Sequence, residues 1–276
     1  MALTITPLTP AIGVEVTGQP GRRLLDLDAA EELRTALDAH GVVVCREAGL
    51  EDGELVALSR MFGEVVIAKG STEEYPEVQI ISLDPARSRL ASYQQGTFSW
   101  HIDGATDATP QKATFLVARQ VSDEGGDTEF ANTYAAYAAL TEAQRKELDG
   151  LRVLHTFKAA QLLANPNPSD AQLAAWERVP TREHPLVWTR RDGRKSLLIG
   201  ATTDHVIGMA PAESRALLDR LLQWSTQPRL VLRHHWRPGD LVIWDNTGML
   251  HRALPYRPTS PRLMHRTTLV GDEAVV

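Results

Sequence analysis

Apolar positions recur at helical spacing in several stretches of the chain. Between Asp28 and His40, Leu33, Ala36 and Leu37 fall on one face. Asp28 with Glu31 three residues on reads as a capping box, and Gly41 as the stop. Leu50 to Phe62 repeats the pattern through Leu55, Leu58 and Phe62, closed by Gly63. Thr141-Glu142-Ala143-Gln144 opens another capped helix, and Ala210 to Trp224 carries a stripe of Leu217, Leu218, Leu221 and Leu222.

The other apolar stretches are short and read as strands. Gly41-Val42-Val43-Val44-Cys45 is a buried run, and Lys112 to Ala118 is apolar with Thr and Val. Arg229 to His235 alternates, and Asp240 to Trp244 follows the turn Arg237-Pro238-Gly239. Arg262 to Val270 is extended, which puts Arg262, Met264, Arg266 and Thr268 on one side. Pro85 to Gly96 is polar and irregular and reads as a flexible loop, while Asn165-Pro166-Asn167-Pro168 breaks the middle of the chain. Strands on both sides of a helical, Pro-punctuated insertion predict one β-rich domain spanning residues 1–276, interrupted from within. No repeat or low-complexity linker divides it.

Composition narrows the function. With 276 residues and 43% hydrophobic content the chain buries a sizeable core without disulfides. Lys and Arg number 29 against 35 Asp and Glu, a net charge of −6. Without a dense cationic face, nucleic acids and anionic membranes are poor partners, so an anionic substrate has to be met by a few local cations. Cys45 is the only cysteine, which excludes intrachain disulfides and Cys-based zinc or iron–sulfur sites; its strand context makes it a small core residue. The first residues show no basic segment followed by an apolar one, and no apolar run approaches the ~18 residues that span a membrane. A cytoplasmic protein acting on a small molecule is expected.

One constellation carries chemistry. In His101-Ile102-Asp103 a strand would project imidazole and carboxylate to the same side, spaced to share a metal ion. Alone the pair is a common surface combination. His251, in Trp244-Asp245-Asn246-Thr247-Gly248-Met249-Leu250-His251, supplies the second imidazole of a facial triad, the set that non-heme Fe(II) oxygenases use. On spacing alone a surface histidine at a strand end fits His251 equally well. Arg262 lies eleven residues further on, past a turn built on Pro255, Pro258 and Pro261. A hairpin there would return a strand beside the metal and let the guanidinium clamp a carboxylate with two parallel hydrogen bonds. Arg266 on the same face would meet a second anion; the plain alternative is two exposed arginines on an edge strand. Tyr93, Gln94, Gln95 and Phe98 precede the metal pair and form either a lid or an ordinary surface loop, with Tyr93, Gln95 and Phe98 as candidate substrate contacts. His155, His184, His205, His234, His235 and His265 read as structural or surface histidines, and Trp244 as core beneath the site. Two rival classes stand beside the oxygenase. A zinc hydrolase also uses two His and one Asp but leaves Arg262 unexplained. A non-catalytic β-barrel binding or scaffold protein would bind no iron at the triad.

His101-x-Asp103, Gly125-Gly126-Asp127-Thr128, Trp244-Asp245-Asn246, His251 and Arg262-Leu263-Met264-His265-Arg266, in this order, resemble the taurine dioxygenase/TfdA family of Fe(II)- and 2-oxoglutarate-dependent dioxygenases. Gly13-Val14-Glu15-Val16-Thr17-Gly18 is similar to a phrase near the start of such enzymes, and the resemblance runs from about Leu3 to Asp272. It implies a mixed α+β fold: a double-stranded β-helix (jelly-roll, cupin-like) core with flanking helices and a helical insertion. It also implies Fe(II) on His101, Asp103 and His251, with 2-oxoglutarate and O2 as co-substrates. Arg262 and Thr128 would hold the distal carboxylate of 2-oxoglutarate. The implied reaction couples decarboxylation to succinate and CO2 with hydroxylation of a substrate C–H, and dimers or tetramers are common in the family. Asp103 separates the chain from related halogenases, which lack this carboxylate.

The same resemblance bears on the substrate. Arg266 matches the position that holds the anionic head group of taurine, which favours an anionic substrate. The second head-group contact of the taurine enzymes, a histidine, corresponds to Ala68 after Phe62-Gly63-Glu64, which argues against taurine. Glu74-Tyr75-Pro76-Glu77-Val78-Gln79-Ile80-Ile81 is closer to the phenoxyalkanoate branch. Sulfonates, alkyl sulfates, phenoxyalkanoates and specialised-metabolite intermediates are the expected classes.

Overall fold

The computed structural model describes residues 3–17, 21–69, 71 and 73–276; Gly18 of the opening phrase lies outside the described residues. The N-terminal third runs β1 (Thr4–Pro7), β2 (Val14–Thr17), α1 (Leu27–His40), β3 (Val42–Cys45), α2 (Asp52–Phe62) and β4 (Gln79–Ile81). After a 3-10 segment at Ala91–Phe98 come β5 (Ala113–Gln120), β6 (Thr128–Asn132), α3 (Thr133–Ala138) and α4 (Glu142–Leu148). An inserted region holds β7 (Arg152–His155), α5 (Phe157–Ala164), α6 (Asp170–Glu177), β8 (Arg182–Pro185), β9 (Val187–Thr189), β10 (Lys195–Leu197) and β11 (Thr203–Val206). The chain closes with α7 (Pro211–Ser225), β12 (Val231–His234), β13 (Leu241–Asp245), β14 (Met249–Ala253) and β15 (Leu263–Thr268).

Two sheets make the jelly roll. The larger has the order β1-β2-β3-β13-β5-β15-β4, and the smaller the order β12-β6-β14. Alternation along the central strands decides what each face touches. Val43, Cys45, Phe115, Val117, Leu241 and Ile243 turn outward and bury against α1 and α2 through Leu33, Leu37, Leu55 and Leu58. Their neighbours Val42, Val44, Leu116, Ala118, Val242 and Trp244 turn inward and meet Phe130, Leu232 and Met249 of the smaller sheet. The outer face of that sheet, Ala131 and Leu250, packs against the insertion and α7. Each large side chain so buried contributes roughly 1.5–3 kcal/mol of hydrophobic free energy.

Most expected elements form, with instructive shifts. The first helix is capped at Asp26, which makes no side-chain cap bond, so Asp28 sits inside the first turn rather than at the cap. Gly41 ends that helix at φ 73°, a left-handed position that favours glycine. Glu51 and Glu54 form a capping box at the start of α2, and Thr141 and Gln144 form the expected one at α4. The loop expected at Pro85–Gly96 is instead partly helical, because Ala91–Phe98 winds into 3-10 turns. The hairpin expected between His251 and Arg262 does not form. β14 pairs with β6 in the small sheet, whereas β15 pairs with β5 and β4 in the large one, so the Pro-rich connection crosses from sheet to sheet.

Candidate active site

The His-x-Asp pair lies just past the 3-10 segment, where the chain is irregular. His101 makes only an isolated bridge to His251, and Asp103 sits in a turn, so a strand is not what aims them. The bridge itself brings the two imidazoles together: His101 N–H donates to the His251 carbonyl at 3.0 Å and His251 N–H to the His101 carbonyl at 2.9 Å. Gly200 allows the approach, because a Cβ there would stand 2.7 Å from the Trp100 carbonyl oxygen. His251 lies within β14, not at its end, and is buried.

His101 donates Nδ1–H to the Ser99 carbonyl at 2.8 Å, which leaves its Nε2 lone pair free for a metal. Nε2 of His101 and of His251 lie 4.0 and 3.6 Å from the two Asp103 oxygens, and one ligand atom from each of the three residues falls within 4.8 Å of the others. Burial, with the neighbouring His101, pulls the His251 pKa down to about 3, and burial lowers that of His101. Both rings are therefore neutral and able to ligate. Burial would raise the Asp103 carboxyl, but Arg266, His251, His101 and Thr114 together hold it well below the ordinary range, so it stays ionised.

A relay of side chains holds Asp103. Thr114 Oγ1 donates to Asp103 Oδ2 at 3.1 Å and accepts from Asn246 Nδ2 at 2.9 Å. Trp244 Nε1 in turn donates to Asn246 Oδ1 at 2.8 Å, and its ring lies 4.8 Å from that of His251. Trp244 thus packs beneath the site as expected, and Asn246 orients a ligand from one residue further out.

Arg262 is 3% exposed, and among the described residues no carboxylate lies within ion-pair distance of it. Its Nε donates to the Gly126 carbonyl at 3.0 Å, and its guanidinium sits 4.8 Å over the Tyr256 ring. The glycine pair explains the fit. A Cβ on Gly126 would meet Arg262 Cδ at 2.9 Å, and one on Gly125 would stand 2.1 Å from the Pro255 carbonyl oxygen. Burial lowers the Arg262 pKa and Tyr256 partly restores it. Asp127 also acts on it from beyond ion-pair distance, and a buried guanidinium with no carboxylate in direct contact suits an incoming one. Thr128 Oγ1 accepts from Trp236 Nε1 at 2.9 Å, so its own hydroxyl hydrogen remains available.

His101, His251, Thr128, Arg262 and Arg266 line one cavity. Arg266 Nη1 reaches both Asp103 oxygens, at 3.3 and 3.2 Å. Two residues of the 3-10 segment, Gln94 and Thr97, line this cavity. Tyr93, Gln95 and Phe98 turn elsewhere: Tyr93 packs on Phe157, Phe98 on Tyr256, and Gln95 is exposed. Sequence does not single out Thr114, Asn246 or Thr97 as site residues and names Gln94 only within the candidate lid, though Asn246 belongs to the Trp-Asp-Asn phrase that carries the resemblance. Among the other histidines, His155, His184 and His234 are buried structural residues.

A 2-His-1-carboxylate set at the mouth of a jelly roll, beside a buried arginine with no carboxylate in contact, defines a non-heme Fe(II) oxygenase that uses a carboxylate co-substrate. The taurine catabolism dioxygenase TauD/TfdA family matches residues 4–268. The chain is 35% identical to the alpha-ketoglutarate-dependent 2,4-dichlorophenoxyacetate dioxygenase of Cupriavidus pinatubonensis, covering 100% of both chains. It is 30% identical to the (S)-phenoxypropionate/alpha-ketoglutarate-dioxygenase of Sphingobium herbicidovorans, over 99% of this chain and 96% of that one. The solved structure of AAD-2 in complex with Mn(II) and N-oxalylglycine superposes with a TM-score of 0.85 at 29% identity, covering 100% of both chains. The chain belongs to the TauD/TfdA family. It is a dioxygenase that depends on Fe(II), 2-oxoglutarate and O2. Among the described residues no helix is long and apolar enough to cross a membrane.

Proposed function

We propose that residues 1–276 work as a single catalytic unit in the cytoplasm, hydroxylating a small aryloxyalkanoate acid at the carbon beside its ether oxygen. His101, Asp103 and His251 hold Fe(II); Arg262 and Thr128 hold the distal carboxylate of 2-oxoglutarate. The chemistry Fe(II) supplies when bound is dioxygen activation, coupled to conversion of 2-oxoglutarate to succinate and CO2. The protein's own side chains do the rest. Arg266 and Thr114 help keep Asp103 ionised, Asn246 orients it through Thr114, Trp244 and Phe130 pack apolar rings against His251, and the 3-10 segment limits access of water to the cavity. One oxygen atom enters the substrate C–H bond and the other enters succinate. A carbon bearing both hydroxyl and aryloxy groups then collapses to a phenol and a carbonyl acid.

The observation that carries this reading is Arg262, buried and without a carboxylate at ion-pair distance among the described residues, in the cavity that His101 and His251 also line. Relatives named for phenoxy acids at 35% and 30% identity favour the aryloxyalkanoate branch over sulfonates and alkyl sulfates. The test is oxygen-dependent succinate formation with Fe(II), ascorbate and 2-oxoglutarate across phenoxy acids, sulfonates and sulfate esters. Stimulation by a phenoxy acid with stoichiometric phenol, lost in His101→Ala, is expected. Turnover stimulated only by a sulfate ester or sulfonate would overturn the substrate assignment while leaving the reaction class intact.

A further inference from the structure

A buried guanidinium can be held in two ways that leave different parts of it free. An acid takes the N–H edge, where the directional hydrogen bonds are, whereas an aromatic face takes the flat side and leaves that edge open. Arg262 is held in the second way. Its Cζ lies 4.8 Å from the centre of the Tyr256 ring, and its Nε–H donates to the Gly126 carbonyl at 3.0 Å. Asp127, whose charge reaches it only from beyond ion-pair distance, is taken up by Arg233 Nε at 2.8 Å and by His235 Nδ1 at 2.9 Å. The ring is firmly seated. Between Ala253 and Pro261 Tyr256 alone is buried, while Pro255, Arg257 and Pro258 around it are exposed. Leu254 N–H donates to the Asp127 carbonyl at 2.7 Å, and Gly126 N–H to the Leu254 carbonyl at 3.2 Å, so the glycine loop that holds Arg262 Nε also anchors the chain just before Tyr256. Phe98 of the 3-10 segment then packs on the ring edge-on, with centroids 5.8 Å apart at 72°.

Resting on the assignment of Arg262 to the distal carboxylate of 2-oxoglutarate, we propose that Tyr256 is a positioning residue for the co-substrate, its ring face holding the Arg262 guanidinium in plane with the N–H edge free. The ring contributes most because the site is desolvated, where attraction between a cation and an aromatic face is strongest. It also fixes the plane in which two parallel hydrogen bonds to a carboxylate can form, which an unsupported arginine would have to find anew at each binding event. The dependence on Tyr256 is therefore confined to ligands that carry a distal carboxylate. A ligand that reaches only the metal does not feel the ring.

The test is calorimetric titration of N-oxalylglycine, and separately of oxalate, into protein loaded with Mn(II), alongside kinetics in which 2-oxoglutarate is varied. Oxalate chelates the metal but has no distal carboxylate. Wild type is compared with Tyr256→Phe, which keeps the aromatic face, and with Tyr256→Met and Tyr256→Leu, which fill the seat without one. Both aliphatic variants weaken N-oxalylglycine at least ~10-fold and raise KM for 2-oxoglutarate, while kcat at saturation stays near wild type. Tyr256→Phe stays within about threefold of wild type, and oxalate affinity is unchanged in every variant. The methionine variant keeps the test open if the leucine variant does not fold. N-oxalylglycine affinity within twofold of wild type in either folded aliphatic variant overturns the assignment. So does a parallel loss of oxalate affinity, which would make Tyr256 a general support of the site. Wild type that binds N-oxalylglycine no more tightly than oxalate would instead sink the assignment of Arg262, and this inference with it.

Discussion

Phe115 and Leu116 are neighbours on β5 but belong to two different environments. Phe115 faces α1 and α2, where it meets Phe62 edge-on at 5.1 Å in a layer of aliphatic and aromatic groups that leaves no charge to satisfy. Leu116 faces inward, toward the cavity that buried Arg262, Gln94 and His251 share with half-buried Arg266, where Gln94 Oε1, His251 Nδ1 and Arg266 Nε have hydrogen-bonding capacity unspent. The helix-backed side is consistent at every level and serves stability. The barrel mouth breaks the rule that buried polar groups are paired, and it does so where ligands enter.

The contrast is broken most directly at the metal set. Asp103→Ala removes a ligand outright, and the loss of succinate formation exceeds the ~10–100-fold typical of losing an outer partner. Its thermal midpoint moves little, which differential scanning calorimetry checks. Phe115→Ala does the reverse: about 3–5 kcal/mol of stability is lost in chemical denaturation, while activity per folded molecule is retained at low temperature. Asn246→Leu sits between the two regions. It cuts the relay through Thr114 to Asp103, and Fe(II) affinity measured by competition with a chelator falls roughly 10–100-fold.

A pH series sharpens the comparison without a substitution. Burial lowers the His155 pKa from 6.5 to about 3, so between those values the unfolded chain takes up a proton that the folded chain refuses. Stability is therefore full above pH 6.5 and falls as the pH drops, by at most about 1.4 kcal/mol per unit from this group. Urea midpoints at pH 7 and pH 5 measure the loss, and His155→Gln reduces the difference. The smallest effect belongs to the periphery. Thr141→Ala removes the α4 cap bond to the Gln144 amide, 3.2 Å long, and costs about 1 kcal/mol with no change in KM for 2-oxoglutarate.

What sequence could reveal follows the same division. Helix faces such as Leu33-Ala36-Leu37 and strand runs such as Val42–Cys45 announce themselves because one local period decides their burial. The triad and Arg262 were legible as residue types in a familiar order. Their supports were not. Whether β14 and β15 share a hairpin depends on pairings with β6 and β5, residues more than a hundred positions away. The 3-10 turns at Ala91–Phe98 have no hydrophobic period to betray them, so the inward residue proved to be Gln94 rather than its neighbour Gln95. Thr114 looked like any strand threonine, and only the folded register puts it under Asp103.

The reciprocal main-chain bonds between His101 and His251 have a consequence for loading. Because each ligand's backbone is pinned by the other's, the two imidazoles are already ordered before an ion arrives, and little conformational entropy remains to be lost on binding. Metal uptake should then leave the exchange rates of the His101 and His251 amides slow in both the stripped and the loaded protein. The response to the ion is confined to the turn that carries Asp103, the one ligand whose backbone stands outside that pair.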